Sequence, residues 1–470
     1  MINSNIRYII KVTISNFLLL LSSVLTGFLL PKIMSLSDYG YYKTFTLYIA
    51  YSAIFRFGIV DGIYLRYGGV SYENLNISLF KFYSFFLIAF ESCISIIMLA
   101  ISLLFLENNL KYIFAFVSIY IWTFNITSYY QTLSQITKRF DELAHRNTYQ
   151  ALLNIVVIIS LCFLYTYSYV DVSYKIYIFL YTLIQFALSI WYLFTYKEIS
   201  FGLLSNIHFE FGKIFSLAKI GIPLLLANIC STLLLNLDRQ FVNINFSAET
   251  YAKYAFAYNL LTLVTICTSA VSTIIYPILK RSNYDSMKDK YSYLVSLLLI
   301  LVLACIGLYF PLCVFIEYYL PQYEYSLLIF KIIFPGIAFT SVVTVVIHNY
   351  YKTYGMNSLF MIISIVILFI SLVSNIVVYK LWGTPIAISV SSVIIMFIWY
   401  LLADYYLMRK YYKRCTKNYF YMTVLILTFY LIANYQPNYF VGLLLYIIVY
   451  VASTSILFVK DYNKFKKIIM

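Results

Sequence analysis

Long apolar runs separated by short polar breaks fill the sequence from one end to the other. A helix that spans the hydrocarbon core of a bilayer needs roughly 20 mostly apolar residues. Runs such as 94–106 show no alternation of apolar and polar residues, which excludes a transmembrane barrel. The pattern predicts an all-α polytopic membrane protein with about 14 transmembrane helices. The predicted segments are 6–30, 40–66, 79–106, 111–137, 147–168, 174–196, 213–237, 251–279, 291–316, 325–351, 357–380, 384–408, 418–435 and 438–459.

Two six-helix lobes followed by two additional helices are the predicted architecture. The longest connection, 197–212, follows the sixth segment and is the predicted junction between the lobes. The predicted domains are an N-terminal lobe over 1–200, a second lobe over 201–415, and two helices with a cytoplasmic tail over 416–470.

A short internal repeat supports the division into lobes. Tyr39 and Tyr42 follow the first segment, and Tyr251 and Tyr254 follow the seventh segment 212 residues later. Because the chain holds 52 tyrosines, chance is the alternative explanation. Internal repeats in transporters place the substrate path at the repeat interface near the middle of the bilayer.

The content and placement of charged residues exclude some classes of protein and predict the orientation of the chain in the membrane. The chain is only 11% charged, whereas soluble domains are about 25% charged, and this excludes a soluble enzyme. About 24 of the 33 Lys and Arg residues fall on the side of the N-terminus and about seven on the other side. Loops rich in Lys and Arg stay in the cytoplasm, so both termini are predicted to be cytoplasmic. The net charge of +15 follows from these loops and does not indicate nucleic-acid binding.

Charged side chains inside the predicted segments are candidate functional residues, because a charge at that depth costs several kcal/mol unless it is paired or hydrated. The second segment carries Arg56, Asp61 and Arg66, and the third carries Glu91. The predicted depths favour an ion pair between Arg56 and Glu91. A clamp between two helices, without contact to cargo, is the alternative for this pair. For Arg66 the alternative is a side chain that snorkels to the membrane surface.

Two lysines precede predicted breaks in helices of the second half. Lys219 precedes a break at 221–223, and Lys331 precedes a break at 335–336. Broken helices are tolerated in a bilayer where their backbone lines a cavity. We therefore include both lysines among the candidate residues of a translocation path, with an interfacial anchor as the alternative for Lys219.

Further polar residues lie within or at the ends of the predicted helices. Asp238 and Arg239 lie at the predicted outer end of the seventh segment, either as a latch at an outward-facing mouth or as a solvated helix end. Asn228 and Asn236 lie deeper, and interhelical hydrogen bonds are the alternative to a ligand role for each. His348 is expected to be packed or interfacial and not to relay protons.

No motif for catalysis or for a cofactor is present. The sequence lacks a nucleophile elbow, an HExxH motif and a Gly-rich phosphate loop. Its cysteines occur singly and without a CxxC pair, which predicts neither a disulfide framework nor a zinc site. We therefore expect a protein that is not an enzyme, holds no metal or cofactor, and does not hydrolyse ATP by itself.

Two stretches resemble a known family. Residues 27–69, which include SLSDYGYYKTFTL and FRFGIVDGIYLRYGG, resemble the opening of the Wzx-type polysaccharide flippases. Residues 217–281, which begin LAKIGIPLLLANICSTLLLNLDRQFVN, resemble the start of the second lobe in that family. The family belongs to a larger exporter group with multidrug exporters and flippases of peptidoglycan precursor.

This resemblance implies a cargo and a mechanism. The expected cargo is a polyprenyl-diphosphate-linked oligosaccharide, moved from the cytoplasmic to the outer leaflet of the bacterial inner membrane for O-antigen, capsule or other surface polysaccharide assembly. The expected mechanism is alternating access of two lobes around a cationic central cavity, coupled to H⁺ or Na⁺, with membrane lipids and other polysaccharide-assembly proteins as partners. By position, Arg56, Asp61 and Arg66 match one family motif, and Asp238 and Arg239 match another.

Two other functions compete with this one. An ion-coupled small-molecule antiporter would carry a smaller cavity in which carboxylates outnumber cations. A membrane-embedded polysaccharide polymerase or ligase would carry a large outer loop, and the outer loops here are short. The sequence does not identify the sugar unit, the coupling ion or the oligomeric state.

Overall fold

The computed structural model describes residues 2–168, 171–201, 210–280, 284–411 and 416–458. Within these ranges the side chains of 2–10, 168, 263, 265–278, 280, 284–286, 288–289, 357 and 410–411 are outside the description. The described chain is helical apart from short turns and connections and contains no β-strand, in agreement with the predicted fold class. Parts of the predicted lobe junction (202–209) and of the predicted cytoplasmic tail (459–470) lie outside the described residues.

The chain divides into two compact units, one formed by 1–233 and 247–252 and the other by 234–246 and 253–470. The predicted limits of the lobes remain a prediction. The first unit contains most of the first nine helices: α1 Ile2–Ile33, α2 Leu36–Ile49, α3 Ile59–Tyr67, α4 Ile77–Phe105, α5 Asn108–Ile136, α6 Phe140–Ser168, α7 Tyr174–Thr195, α8 Lys197–Ser200 and the first part of α9 Phe211–Asn245.

The second unit contains the end of α9 and the helices that follow. These are α10 Ala248–Lys280 (apart from its first turn), α11 Tyr284–Ile306, α12 Tyr309–Tyr319, α13 Glu324–Ile333, α14 Gly336–Ser341, α15 His348–Thr353, α16 Asn357–Trp382, α17 Pro385–Tyr411, α18 Thr416–Tyr435 and α19 Tyr439–Phe458. A π-helical turn, Val342–Ile347, joins α14 to α15.

Helix length and hydropathy support a multi-pass membrane protein. Ten helices of the described chain are long and apolar enough to cross a membrane, or up to 12 if each of two bent helix pairs is one span. All fourteen predicted segments fall on helix, and α10 and α18 are the two outside this count. The number of spans therefore remains a prediction, compatible with the structure.

Helix starts follow ordinary capping chemistry. The Ser35 hydroxyl accepts a hydrogen bond from the backbone N–H of Asp38 at 3.1 Å, at the start of α2. The Asn76 side chain accepts one from Leu79 N–H at 3.1 Å, at the start of α4. Each cap satisfies a backbone donor that has no partner inside its own helix. The polar residues between the apolar runs thus set where these helices begin.

The predicted second segment is not one straight helix. It consists of α2, a 3₁₀ turn over Ser52–Arg56, and α3, and the two parts are bent by 61°. Phe57 and Gly58 both have left-handed backbone, with φ of 46° and 75°. Two successive residues of that kind cannot continue a right-handed helix, so the chain turns between Arg56 and Ile59. The predicted segment 40–66 therefore corresponds to two helices bent against each other and not to one straight helix.

The break predicted at 221–223 is absent, because the helix continues through these residues. Pro223 lies inside α9, which is one helix of 35 residues. A proline removes one intrahelical hydrogen bond but does not always end a membrane helix, because local adjustments can satisfy the freed groups. The break predicted at 335–336 is confirmed, since the helices on either side of it are bent by 54°.

Glycines bring α3 and the first part of α9 into backbone contact. A Cβ on Gly62 would overlap the carbonyl oxygen of Leu217, and a Cβ on Gly221 would overlap the carbonyl oxygen of Gly58. A Cβ on Gly58 would lie 2.5 Å from the backbone nitrogen of Ile222. Small residues of this kind allow helices in a membrane to approach closely. The bent second segment is therefore held directly against α9.

Candidate functional site

Arg56 lies at the end of the 3₁₀ turn, next to the bend between α2 and α3. Its side chain is 14% exposed, and its Nε lies 3.4 Å from Oδ2 of Asp61, which is 9% exposed. Its Nη1 donates a hydrogen bond to the hydroxyl of Ser128 on α5. Asp61 lies in the first turn of α3, where the helix N-terminus favours a negative charge. The bend thus places the buried Arg56 guanidinium against Asp61 on α3 and against Ser128 on α5.

Glu91 is fully buried on α4, and an amide is its hydrogen-bond partner. Asn125 Nδ2 on α5 donates to Glu91 Oε2 at 2.9 Å and to the carbonyl oxygen of Ser52 at 3.1 Å. The predicted Arg56–Glu91 ion pair is wrong, because the structure pairs Arg56 with Asp61. A straight second segment would have separated Arg56 from Asp61 by more than one turn. The bend brings these two together.

These six residues form what we term the polar cluster: Ser52, Arg56, Asp61, Glu91, Asn125 and Ser128. The cluster lies within the first unit, beside a core that includes Ile59, Val60, Leu87 and Ile126. Removing charges from water costs several kcal/mol per ion in practice, and pairing returns only part of this cost. Replacement of a buried ion pair by hydrophobic residues is often neutral or stabilising, so folding alone does not explain these charges. The cluster is therefore the best candidate for a functional site in this unit.

Arg66 and Lys219 lie at the surface, apart from the polar cluster. Arg66 is exposed near the end of α3, and its Nη1 donates to the hydroxyl of Ser216 at 3.3 Å. Lys219 is exposed on α9. Asn228 is exposed further along α9, and its carbonyl oxygen accepts a hydrogen bond from the Thr232 hydroxyl at 3.0 Å. The ligand roles predicted for these three residues remain predictions.

Asp238 is buried in the second unit, at 3% exposure, and is not at a solvated helix end. Its Oδ2 accepts hydrogen bonds from the hydroxyls of Tyr254, at 2.8 Å, and of Tyr258. Arg239 makes no ion pair with it: the guanidinium lies 4.6 Å from the centre of the Tyr258 ring, and Nη2 donates to the carbonyl oxygen of Leu235 at 3.0 Å. The predicted Asp–Arg latch is wrong in this conformation, because α9 continues to Asn245 and keeps both residues inside it.

Lys331 and His348 flank the confirmed break in the second unit. Lys331 Nζ donates to Oδ1 of Asn434 on α18 at 2.8 Å. His348 is buried, and its ring stacks on Phe360 with centroids 4.3 Å apart. His348 is therefore packed, as predicted, whereas the ligand role predicted for Lys331 remains a prediction.

Arg146 is a buried cation, although the predicted segments place it in a cytoplasmic loop. The predicted fifth segment begins at 147, but α6 begins at Phe140, so Arg146 lies almost two turns inside the helix. It is 8% exposed, and its Nη1 donates to Oδ1 of Asn147 at 3.2 Å. Among the described side chains no carboxylate pairs with it. The polar run at 145–147 next to an apolar run was the signal that could have identified it.

This helical fold is that of membrane flippases and transporters. One solved structure with the fold is the lipid II flippase MurJ in an inward closed conformation, with a TM-score of 0.70 and 15% identity over 96% of this chain and 99% of that chain. Another is an inward-facing multidrug resistance MATE family transporter of the MOP superfamily, with a TM-score of 0.61 and 12% identity over 86% and 98%. A MOP superfamily transporter from Pyrococcus furiosus Vc1 (DSM3638) has a TM-score of 0.54 and 12% identity over 86% and 96%. These proteins are transporters, not enzymes.

The family follows from the sequence itself. Residues 30–323 match the family of polysaccharide biosynthesis proteins, and because the match covers more than half of the chain, the chain belongs to that family. No curated protein matches the sequence. The resemblance is confirmed as far as the polysaccharide biosynthesis family and the fold that the chain shares with a flippase and with MATE transporters.

Proposed function

We propose that the protein is a flippase for a polyprenyl-diphosphate-linked oligosaccharide. It would move this cargo by alternating access from the cytoplasmic to the outer leaflet of the bacterial inner membrane, with both termini in the cytoplasm. The observation that carries the proposal is membership of a polysaccharide biosynthesis family in a chain whose fold is similar over 96% of its length to a lipid II flippase. O-antigen, capsule or another surface polysaccharide would be the product that uses the cargo.

Buried arginines supply the chemistry that such a cargo requires. A diphosphate carries negative charge, and a guanidinium holds phosphate oxygens through a planar pair of N–H donors. Arg56 Nη1 donates to Ser128, and Nε lies 3.4 Å from Asp61 Oδ2 without forming a hydrogen bond, which leaves donors from its set of five for a phosphate. Arg146 has no carboxylate partner among the described side chains. We propose that these two cations stabilise the diphosphate during its passage.

A small-molecule antiporter is the second candidate, and buried carboxylates favour it. Glu91 is fully buried and outside ion-pairing distance of any described cation, which is an arrangement that a proton or Na⁺ would neutralise. MATE family transporters share the fold. The same carboxylate is also compatible with an ion-coupled flippase. Only the identity of the cargo therefore distinguishes the two functions.

Deletion of the gene in its host is the test of the cargo. We expect lipid-linked oligosaccharide to accumulate in the cytoplasmic leaflet, because synthesis continues while translocation stops. The measurement is the fraction of lipid-linked sugar that a membrane-impermeant glycosidase reaches in spheroplasts and in inverted vesicles. An unchanged leaflet distribution with altered export of dyes would support the antiporter, and altered polymer length without accumulation would support an enzyme.

A further inference from the structure

A polar cavity lies at one end of the second unit, remote in sequence from the polar cluster. Its volume is about 490 Å³, and it is bounded by α12, α13 and the connection between α18 and α19. Ligand cavities in proteins typically have volumes of roughly 300–1,000 Å³. The cavity is therefore large enough for one or two sugar rings.

The cavity combines aromatic rings with side chains that hydrogen-bond hydroxyl groups. The aromatic and hydrogen-bonding side chains of the lining include Tyr309, Glu317, Glu324, Lys331, Asn434 and Tyr439. Tyr309 is buried and stacks on Phe330, with ring centroids 5.7 Å apart, which fixes the orientation of its ring. Amphipathic aromatic rings pack against the apolar faces of a ligand, and carboxylates and amides bond its hydroxyls. This is the lining that a saccharide requires.

Polar contacts already hold several of these side chains in place. The Tyr439 hydroxyl donates to Glu317 Oε1 at 2.5 Å, across α12 and α19. Lys331 Nζ donates to Asn434 Oδ1 at 2.8 Å, across α13 and α18. Side chains that are fixed before binding lose less entropy on binding, so such a site favours affinity.

Charge decides which part of a lipid-linked saccharide fits this cavity. Its ionised residues are two glutamates and one lysine, so the lining carries net negative charge. A diphosphate would be repelled, whereas a neutral sugar is not. The three ionised side chains of the lining would also lose water against a polyprenyl chain, which disfavours that part of the cargo. The glycan is thus the matching part of the cargo.

The cavity lies at the predicted outer face of the membrane. α18 begins next to the basic stretch 409–417, and the cavity lies at the other end of this 20-residue helix. At about 1.5 Å per residue, the two ends are about 30 Å apart, close to the thickness of the hydrocarbon core. Because basic loops stay in the cytoplasm, the cavity opens to the outside.

We propose that this cavity, lined by Tyr309, Glu317, Glu324, Lys331, Asn434 and Tyr439, binds a neutral sugar of the translocated glycan at the outer face. The inference rests on the proposed function and adds a receiving site for the glycan. Such a site would favour the outward position of the cargo before release.

Saturation-transfer NMR on the full chain in lipid nanodiscs tests this site without any transport step. The probes are methyl glycosides of N-acetylglucosamine, galactose and rhamnose, with inorganic pyrophosphate as competitor. We expect saturation transfer to at least one glycoside, no reduction by pyrophosphate, and about tenfold weaker binding in Glu317→Gln/Glu324→Gln, because both acceptors lose their charge. The matched control is Glu107→Gln, an exposed glutamate between α4 and α5.

A second variant distinguishes loss of the binding site from misfolding caused by removal of polar groups. Leu328→Trp adds bulk at the cavity wall without removing a polar group, and it is expected to abolish saturation transfer. The proposal would be overturned if the parent chain transferred no saturation to any glycoside, or if pyrophosphate competed with the glycosides. It would also be overturned if both cavity variants transferred as much saturation as the parent chain. Glycoside binding together with an unchanged leaflet distribution in the deletion strain would instead reject the proposed cargo and leave the site standing.

Discussion

Arg56→Ala is expected to slow translocation about 10- to 100-fold, because a charge-assisted hydrogen bond contributes about 1.5–3 kcal/mol and each 1.4 kcal/mol is a factor of ten. The measurement is surface polysaccharide in the deletion strain complemented with each variant, normalised to the amount of protein in the membrane. Arg56→Lys keeps the charge but loses the planar donor pair, so we expect partial activity. Arg409→Ala, which removes an exposed arginine at the end of α17, is the matched control and is expected to retain activity.

Loss of Arg56 also affects the stability of the protein, and the variants must separate this effect from the loss of cargo binding. Its removal leaves Asp61 buried without a cation, which costs roughly 3–5 kcal/mol. Asp61→Asn alone removes the ion pair but keeps the guanidinium, and Arg56→Ala/Asp61→Asn relieves the unpaired charge. If Arg56 binds cargo, the double variant is folded but about 10- to 100-fold slower, while Asp61→Asn keeps most activity. Equal activity of the two variants would show that Arg56 only clamps α3 to α5.

Gly62→Ala is expected to destabilise the first unit strongly. The added Cβ would overlap the carbonyl oxygen of Leu217 on α9, and backbone atoms cannot rotate away as a side chain can. Overpacking of this kind costs roughly 1–3 kcal/mol and sometimes more. The measurement is the midpoint of thermal unfolding of the purified chain in detergent, followed by the loss of the monodisperse peak.

Gly212→Ala provides the control for this substitution. Gly212 lies on α9, the helix of Leu217, with no atom within 4 Å of the position that a Cβ would take. Alanine also has higher helix propensity than glycine, so this variant is expected to be at least as stable as the parent. Equal midpoints for Gly62→Ala and Gly212→Ala would contradict the backbone contact between α3 and α9.

Much of the fold was predictable because lipid imposes a simple rule on the sequence. Every backbone polar group in the bilayer must be satisfied within the protein, so long apolar runs become helices. Individual bends were not predictable from the same rule. The bend at Phe57–Gly58 has no proline, whereas Pro223 lies within an unbroken α9. Contacts between residues distant in sequence determine where a helix bends. The backbone contact between Gly58 and Ile222 is one of them.

The candidate site was predictable in its residue types but not in its pairing. Arg56, Asp61 and Glu91 are charged residues in apolar runs, and the sequence identified all three. The ion pair between Arg56 and Asp61 depends on the bend, and the bond from Asn125 to Glu91 depends on how α4 and α5 pack. Arg146 was missed because an error of seven residues in the start of α6 moved it from the helix to a loop.

A translocation assay with the purified chain tests the central claim most directly. Vesicles of bacterial phospholipid would contain the protein and a polyprenyl-diphosphate oligosaccharide with a fluorescent sugar, and an impermeant glycosidase would report the accessible leaflet. We predict that cleavage proceeds beyond the fraction seen in protein-free vesicles, and that the Arg56→Ala/Asp61→Asn variant passes that fraction about 10- to 100-fold more slowly. Cleavage that ends at the protein-free fraction with the parent chain, under both H⁺ and Na⁺ gradients, would contradict the account.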